Sequence, residues 1–154
     1  MEPWLQGLTV VTTKKAAHDV KKTHAQCIMC GDSNPMSLRL VFNPGENGDV
    51  SASFQGNSLL QGYEGIMHGG VICALLDSAM ANCLFHKNIA AVTAELRVRF
   101  LQPVPYGARM DLRAWIIEET SMLFKLKAEL ALDDTVMACA DALFVPGVIN
   151  IGEQ

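Results

Sequence analysis

The sequence predicts an α+β domain, an antiparallel sheet of about six strands wrapped around one long central helix. Three observations carry this expectation. Residues 69–86 form a segment that is apolar on nearly every face and long enough for a helix. Two strand-like runs precede it and four follow. The connections between those runs are short, which favours antiparallel pairing of neighbours.

The elements are read in chain order. Residues 1–26 are expected to be an N-terminal appendage, in which 14–22 (KKAAHDVKK) suits a short polar helix with solvated lysines. Asp32-Ser33-Asn34-Pro35 is a turn. Ser37–Phe42 and Asp49–Phe54 alternate apolar and polar residues about the turn-rich Asn43–Gly48, so they read as a hairpin. After the helix come strand candidates Ala91–Leu101, Ala108–Glu119, Met122–Leu132 and Val136–Val145. Pro103–Gly107, Glu119–Ser121 and Asp133-Asp134 separate them. A helix apolar nearly all round has to be wrapped rather than laid on a surface, and a sheet curling round one helix is the hotdog architecture. That domain spans 27–146, with a tail at 147–154.

Composition sets the outer limits. The 154 residues make one domain with a sizeable core. Half of them are apolar and 18% are charged, which suits a well-buried fold with apolar surface hidden in an oligomer. A net charge of −4 leaves no footprint for nucleic acid. The longest uninterrupted apolar stretch, Val71–Leu76, is too short for a bilayer. The start, Met1-Glu2-Pro3-Trp4, lacks a signal-peptide pattern. The expectation is a cytoplasmic protein without membrane or nucleic-acid partners.

Cys73, Cys83 and Cys139 lie in apolar segments and read as small core residues. Cys27 and Cys30 form a lone Cys-x-x-Cys with His24 and Asp32 nearby. Structural zinc usually takes two ligand pairs, and no second pair exists, so no metal is expected. A thioredoxin-like context is absent too, which leaves two cysteines in an ordered loop.

The chemistry concentrates in Gly62-Tyr63-Glu64-Gly65-Ile66-Met67-His68-Gly69-Gly70, which runs into Val71-Ile72-Cys73-Ala74-Leu75-Leu76-Asp77. Gly69 and Gly70 let a ligand approach the backbone. A helix starting there offers unpaired N–H groups and a partial positive charge to an anion, or to a carbonyl oxygen that becomes negative during reaction. The plainer alternative is an ordinary loop-to-helix junction. Between Val71 and Phe85 only Asp77, Ser78 and Asn82 are polar. Asp77 has Cys73, Ala74, Met80, Ala81 and Leu84 as helical neighbours. A carboxylate in such company is costly unless it is paired or functional.

Gly62 to Gly70, followed by Leu75-Leu76-Asp77-Ser78-Ala79-Met80, resembles the signature of the phenylacetate-pathway (PaaI-type) hotdog thioesterases. Cys30-Gly31-Asp32-Ser33-Asn34-Pro35-Met36-Ser37-Leu38 and Arg97-Val98-Arg99-Phe100-Leu101-Gln102-Pro103-Val104-Pro105 resemble the flanking segments, and the likeness covers roughly residues 27–146. The resemblance implies hydrolysis of acyl-coenzyme A thioesters by a homodimer, often paired into a tetramer, with no metal or organic cofactor. It implies that the Gly69 N–H polarises the thioester carbonyl and that Asp77 is nucleophile or general base. His68 would shape or polarise the site, and Thr93 would orient the water or the carboxylate.

The same residues have structural readings. His68 can fix the turn through its ring. Thr93 shares strand parity with Glu95, Arg97 and Arg99, while Ala94, Leu96, Val98 and Phe100 form the apolar face, so Thr93 can be a plain β-branched strand residue. Arg97 and Arg99 are candidates for coenzyme A phosphates or for a solvated or interface face. Some members carry an amide six residues before the histidine. Here Gly62 stands there, with Gln61 as the adjacent substitute.

Spacing adds an argument of its own. Gly69 and Asp77 are eight residues apart, about 12 Å along a helix axis. One thioester carbonyl cannot meet both within one subunit, so a site using both combines two chains. Two rivals stay open: a hotdog hydratase or dehydratase acting beside the carbonyl, and a non-catalytic acyl-CoA-binding hotdog protein.

Overall fold

The computed structural model describes residues 24–147. The expected appendage helix at 14–22 and the C-terminal tail from 148 lie outside them. Six strands and one long helix follow in order: β1 (Asn43–Pro44), β2 (Val50–Gln55), α1 (Gly69–His86), β3 (Ala91–Phe100), β4 (Arg109–Glu119), β5 (Phe124–Leu132) and β6 (Thr135–Pro146). A single 3-10 turn, Ser58–Leu60, leads from β2 toward α1. The strands make one antiparallel sheet in the order β1-β2-β4-β5-β6-β3.

The sheet alternates as a one-sided sheet should. In β2, Val50, Ala52 and Phe54 are buried and the residues between them exposed. Met110, Leu112 and Ala114 of β4, and Leu126, Ala128 and Leu130 of β5, continue the inner face. α1 packs across β2 to β6. Its Leu75, Leu76, Met80 and Leu84 are fully buried against that face, and burying each such side chain is worth about 1.5–3 kcal/mol. By length and composition α1 could cross a bilayer; here it is the core helix of the curled sheet.

Two expectations need correction. Ser37–Phe42 is not a strand. Leu40 and Phe42 are buried as the alternation requires. Their backbone follows another partner, because the Leu38 and Leu40 N–H groups donate to Ile28 O and Met29 O at 2.9 and 3.0 Å. Arg39, at φ +53°, breaks the extended run. The hairpin survives with a first arm of only two residues, Asn43 and Pro44, paired to Ser51 and Val50. The second correction concerns neighbours. β3 pairs with β6 and not with β4, so it lies at the edge of the sheet. The stretch after it, through Pro103 and Pro105, crosses back to β4. On the way Val104 is buried, and its carbonyl accepts the Met67 N–H at 2.8 Å, which ties the crossover to the glycine-rich loop.

Candidate active site

The loop before α1 is held by its own hydrogen bonds. The His68 N–H donates to Leu60 O at 2.8 Å, Gly62 N–H to Ile66 O at 3.0 Å and Ile66 N–H to Tyr63 O at 2.9 Å. Gly65 turns the chain at φ +80°, a conformation that suits glycine. The Gln61 side chain is engaged in the same loop. Its Nε2 donates to Ser58 O, and its Oε1 accepts the Gly65 N–H, both at 2.8 Å. Gln61 therefore shapes the loop with both ends of its amide. At Gly62 a Cβ would lie 3.2 Å from His68 Cα and 3.3 Å from its Cδ2. The His68 ring thus packs closely against the backbone at Gly62.

His68 caps the helix. It sits at φ −62° and ψ 133°, and its Nδ1 accepts the Gly70 N–H at 2.8 Å. A neutral ring in this bond carries its proton on Nε2. The first N–H groups of a helix need partners from outside it. Here Gly70 has His68 Nδ1, while Val71 and Ile72 have His68 O at 2.9 and 3.2 Å. The Gly69 N–H alone among these four has no acceptor among the described residues. Beside it stands the ring of Phe100, half exposed at the end of β3; a Cβ on Gly69 would be 3.4 Å from it. Sequence reasoning assigned Phe100 to the apolar face but missed it as a wall of this site.

Two turns into α1, Asp77 is half buried. Thr93 Oγ1 donates to Asp77 Oδ1 at 2.8 Å. Burial pushes the carboxyl above its ordinary value, and the Thr93 bond pulls it part of the way back. The parity reading of Thr93 fails for a definite reason. The β3–β6 register shifts between Thr93 and Glu95: Thr93 opposes Phe144, and Glu95 opposes Leu143. Ala94 is the extra residue of a β-bulge, and bulges re-aim side chains. Thr93 thus joins the face of buried Phe144, toward α1, while Glu95, Arg97 and Arg99 stay on the other face.

Arg97 and Arg99 are accordingly not brought to Asp77. Arg97 pairs with Glu95 at 3.1 Å and Arg99 with Asp141 at 2.7 Å, both exposed on the outer face of the sheet. A separate group, His24, Cys27 and Cys30, is close enough to hold a metal ion. Asp32 is exposed and accepts from Ser33 Oγ instead. Burial, then the neighbouring Cys27, pushes the Cys30 thiol up to about 11. That is the wrong direction for a redox nucleophile.

A curled antiparallel sheet holding one long helix, with an open N–H at the helix start and a supported carboxylate further along, defines a hotdog-fold protein. Residues 64–139 match the family model described as the thioesterase superfamily. The bovine (Bos taurus) acyl-coenzyme A thioesterase THEM4 is 28% identical over 134 residues, covering 85% of this chain and 55% of that protein. Among solved structures, a thioesterase superfamily protein superposes with a TM-score of 0.73 at 24% identity, over 77% of this chain and 62% of that one. A mutant of the phenylacetic acid degradation protein PaaI from Thermus thermophilus superposes with a TM-score of 0.65 at 22% identity, over 71% of this chain and 94% of that one. The likeness to the thioesterase superfamily covers just under half of the chain. It spans about half the length of the curated relatives it matches.

Proposed function

We propose that this chain hydrolyses acyl-coenzyme A thioesters to free acid and coenzyme A, in sites shared between two protomers. One observation carries the proposal. A single helix bears at Gly69 an N–H without an acceptor among the described residues and, eight residues on, a half-buried carboxylate held by Thr93 at 2.8 Å. The first suits a developing oxyanion. The second suits a base, or a nucleophile, facing a carbonyl carbon.

The acyl carbonyl lies at the start of α1 with its oxygen on the Gly69 N–H. Attack at carbon places negative charge on that oxygen, where the N–H and the helix dipole stabilise it. On one route Asp77 takes a proton from water as the oxygen attacks. On the other the Asp77 carboxylate attacks and forms an anhydride that water then cleaves. Both expel coenzyme A as its thiolate, and Thr93 holds the carboxylate in position on either route.

Sharing follows from distance and from β3. About 12 Å of helix separates the two groups. Thr93, next to Asp77, stands near one end of β3, and Phe100, next to Gly69, stands at the other. β3 is an edge strand of ten residues, none of them fully buried, and such an edge invites pairing. Antiparallel pairing of β3 with its copy about a two-fold axis brings the Thr93 end of one strand to the Phe100 end of the other. Asp77 then faces the partner subunit's Gly69. Gly70, Cys73, Ala74, Asp77 and Ala81 form a helix stripe left partly open, which supports close approach of a second copy. A homodimer, paired further into a tetramer, is the proposed unit. All five cysteines are unpaired, which supports a reducing, cytoplasmic setting.

The test is release of free coenzyme A from a panel of acyl-CoA esters, run on wild type and Asp77→Ala. Turnover by the wild type and none by a folded Asp77→Ala is expected. Near-normal rates in that variant would sink the assignment.

A further inference from the structure

The Cys-x-x-Cys segment folds into a compact knuckle. Tight turns run through it: Cys27 N–H donates to His24 O and Gly31 N–H to Cys27 O, both at 2.9 Å. They bring His24 Nδ1 within 3.9 Å of Cys30 Sγ. The donor atoms of His24, Cys27 and Cys30 all lie within 4.8 Å of one another. Ligands on tetrahedral zinc stand about 3.6–3.8 Å apart, given bonds of about 2.0–2.1 Å to nitrogen and about 2.3 Å to sulfur. Small side-chain adjustments close the remaining gap.

Two N–H donors face the sulfurs. The Met29 N–H donates to Cys27 Sγ at 3.3 Å, and Asn82 Nδ2 reaches Cys30 Sγ at 3.8 Å while also donating to Ser78 O. Such outer contacts orient and stabilise metal-bound thiolates. The His24 ring packs on Phe85 with centroids 4.3 Å apart, which limits its rotation. Gly31 closes the turn at a point where a Cβ would lie 2.5–2.6 Å from Ala25 O and from Cys27 N and O. No side chain fits there without opening the knuckle.

We propose that His24, Cys27 and Cys30 bind a thiophilic divalent cation, zinc by preference, with water or one further donor completing the tetrahedron. The chain has no second cysteine pair to complete a site; His24 supplies the third ligand from outside the motif. The cation replaces two thiol protons, which leave to solvent, and the sulfurs bind as thiolates. Its position is structural. It ties the segment before β1 to α1 at Asn82 and Phe85, a turn or more past Asp77 and at the opposite end of the helix from Gly69.

Cobalt is the probe. The reduced, metal-free full chain is titrated anaerobically with Co²⁺, reading thiolate-to-cobalt charge-transfer absorption and the strong visible bands of tetrahedral cobalt. Zinc is then added as competitor. One equivalent per chain, displaced by zinc, is expected. Cys27→Ser and Cys30→Ser should lose the charge-transfer band, His24→Ala should bind at least about tenfold more weakly, and Cys139→Ser should match wild type. No charge-transfer band in the reduced wild type, or a band that persists in both serine variants, overturns the proposal. Should the serine variants not fold, wild type alone decides. Well under one zinc per chain after reconstitution and gel filtration overturns it, and one zinc with a raised Tm supports it.

Discussion

Replacing Gly69 by proline removes one donor from the site and little else. Gly69 is the first residue of α1, and its N–H has no acceptor among the described residues. Proline is favoured at this helix position because its missing N–H costs no intrahelical bond. The preceding residue must be extended, and His68 already sits at φ −62° and ψ 133°. A new Cβ would be 3.4 Å from Phe100, an ordinary contact. Stability should therefore hold or rise, since a proline that fits its site gains about 0.4–1 kcal/mol from the unfolded state. Losing an oxyanion donor typically costs about 10²–10³ in kcat, or roughly 2.7–4 kcal/mol of transition-state stabilisation. The assay couples free coenzyme A to a thiol reagent, with thermal melting alongside. Gly69→Ala, which keeps the N–H, should remain within about threefold of wild type. A proline variant with wild-type kcat and an intact fold would refute the oxyanion role.

Other variants read the remaining parts. Asp77→Asn should end turnover while raising Tm at neutral pH. The Asp77 pKa is raised in the fold, so the native state binds more protons between the ordinary value of 3.8 and the raised one. Stability therefore falls as pH rises through that window, and the gain from Asn should shrink on acidification toward about pH 4. Thr93→Val deletes a hydrogen bond to a carboxylate, worth about 1.5–3 kcal/mol. It should lower kcat by about ten- to a hundredfold and move the acid limb of the pH–rate profile upward, with Thr93→Ser restoring both. His68→Ala should lower stability by about 1 kcal/mol, roughly 2–4 °C in Tm, and His68→Asn, a capping residue, should recover most of it.

Much of this was legible in the residues. The helix bounds 69–86 follow from a glycine pair, an apolar run and the turn after His86. Four strands after the helix show in alternation between turn residues. What stayed hidden was non-local. Nothing in Thr93-Ala94-Glu95 marks a bulge, since no glycine is present, and one extra residue reverses which side chains face the helix. The segment 37–42 has strand-like alternation, but its backbone bonds go to Ile28 and Met29, a pairing that local pattern cannot express. The edge position of β3 depends on a crossover through Pro103 and Pro105 that no short-range rule supplies. His24 was visible beside the Cys-x-x-Cys in the sequence, but the turns that draw its ring, and not Asp32, toward the sulfurs were not.

Subunit complementation reads the shared site itself. Gly69→Pro and Asp77→Asn proteins, each inactive alone, are mixed in equal amounts, dissociated and reassembled. Each mixed dimer carries one intact pairing of Gly69 with Asp77 and one doubly broken pairing. Random exchange makes about half of the dimers mixed, so about a quarter of wild-type activity should return. Activity that stays at the level of the separate variants, while native mass spectrometry shows the mixed dimers present, would contradict a site built from two chains.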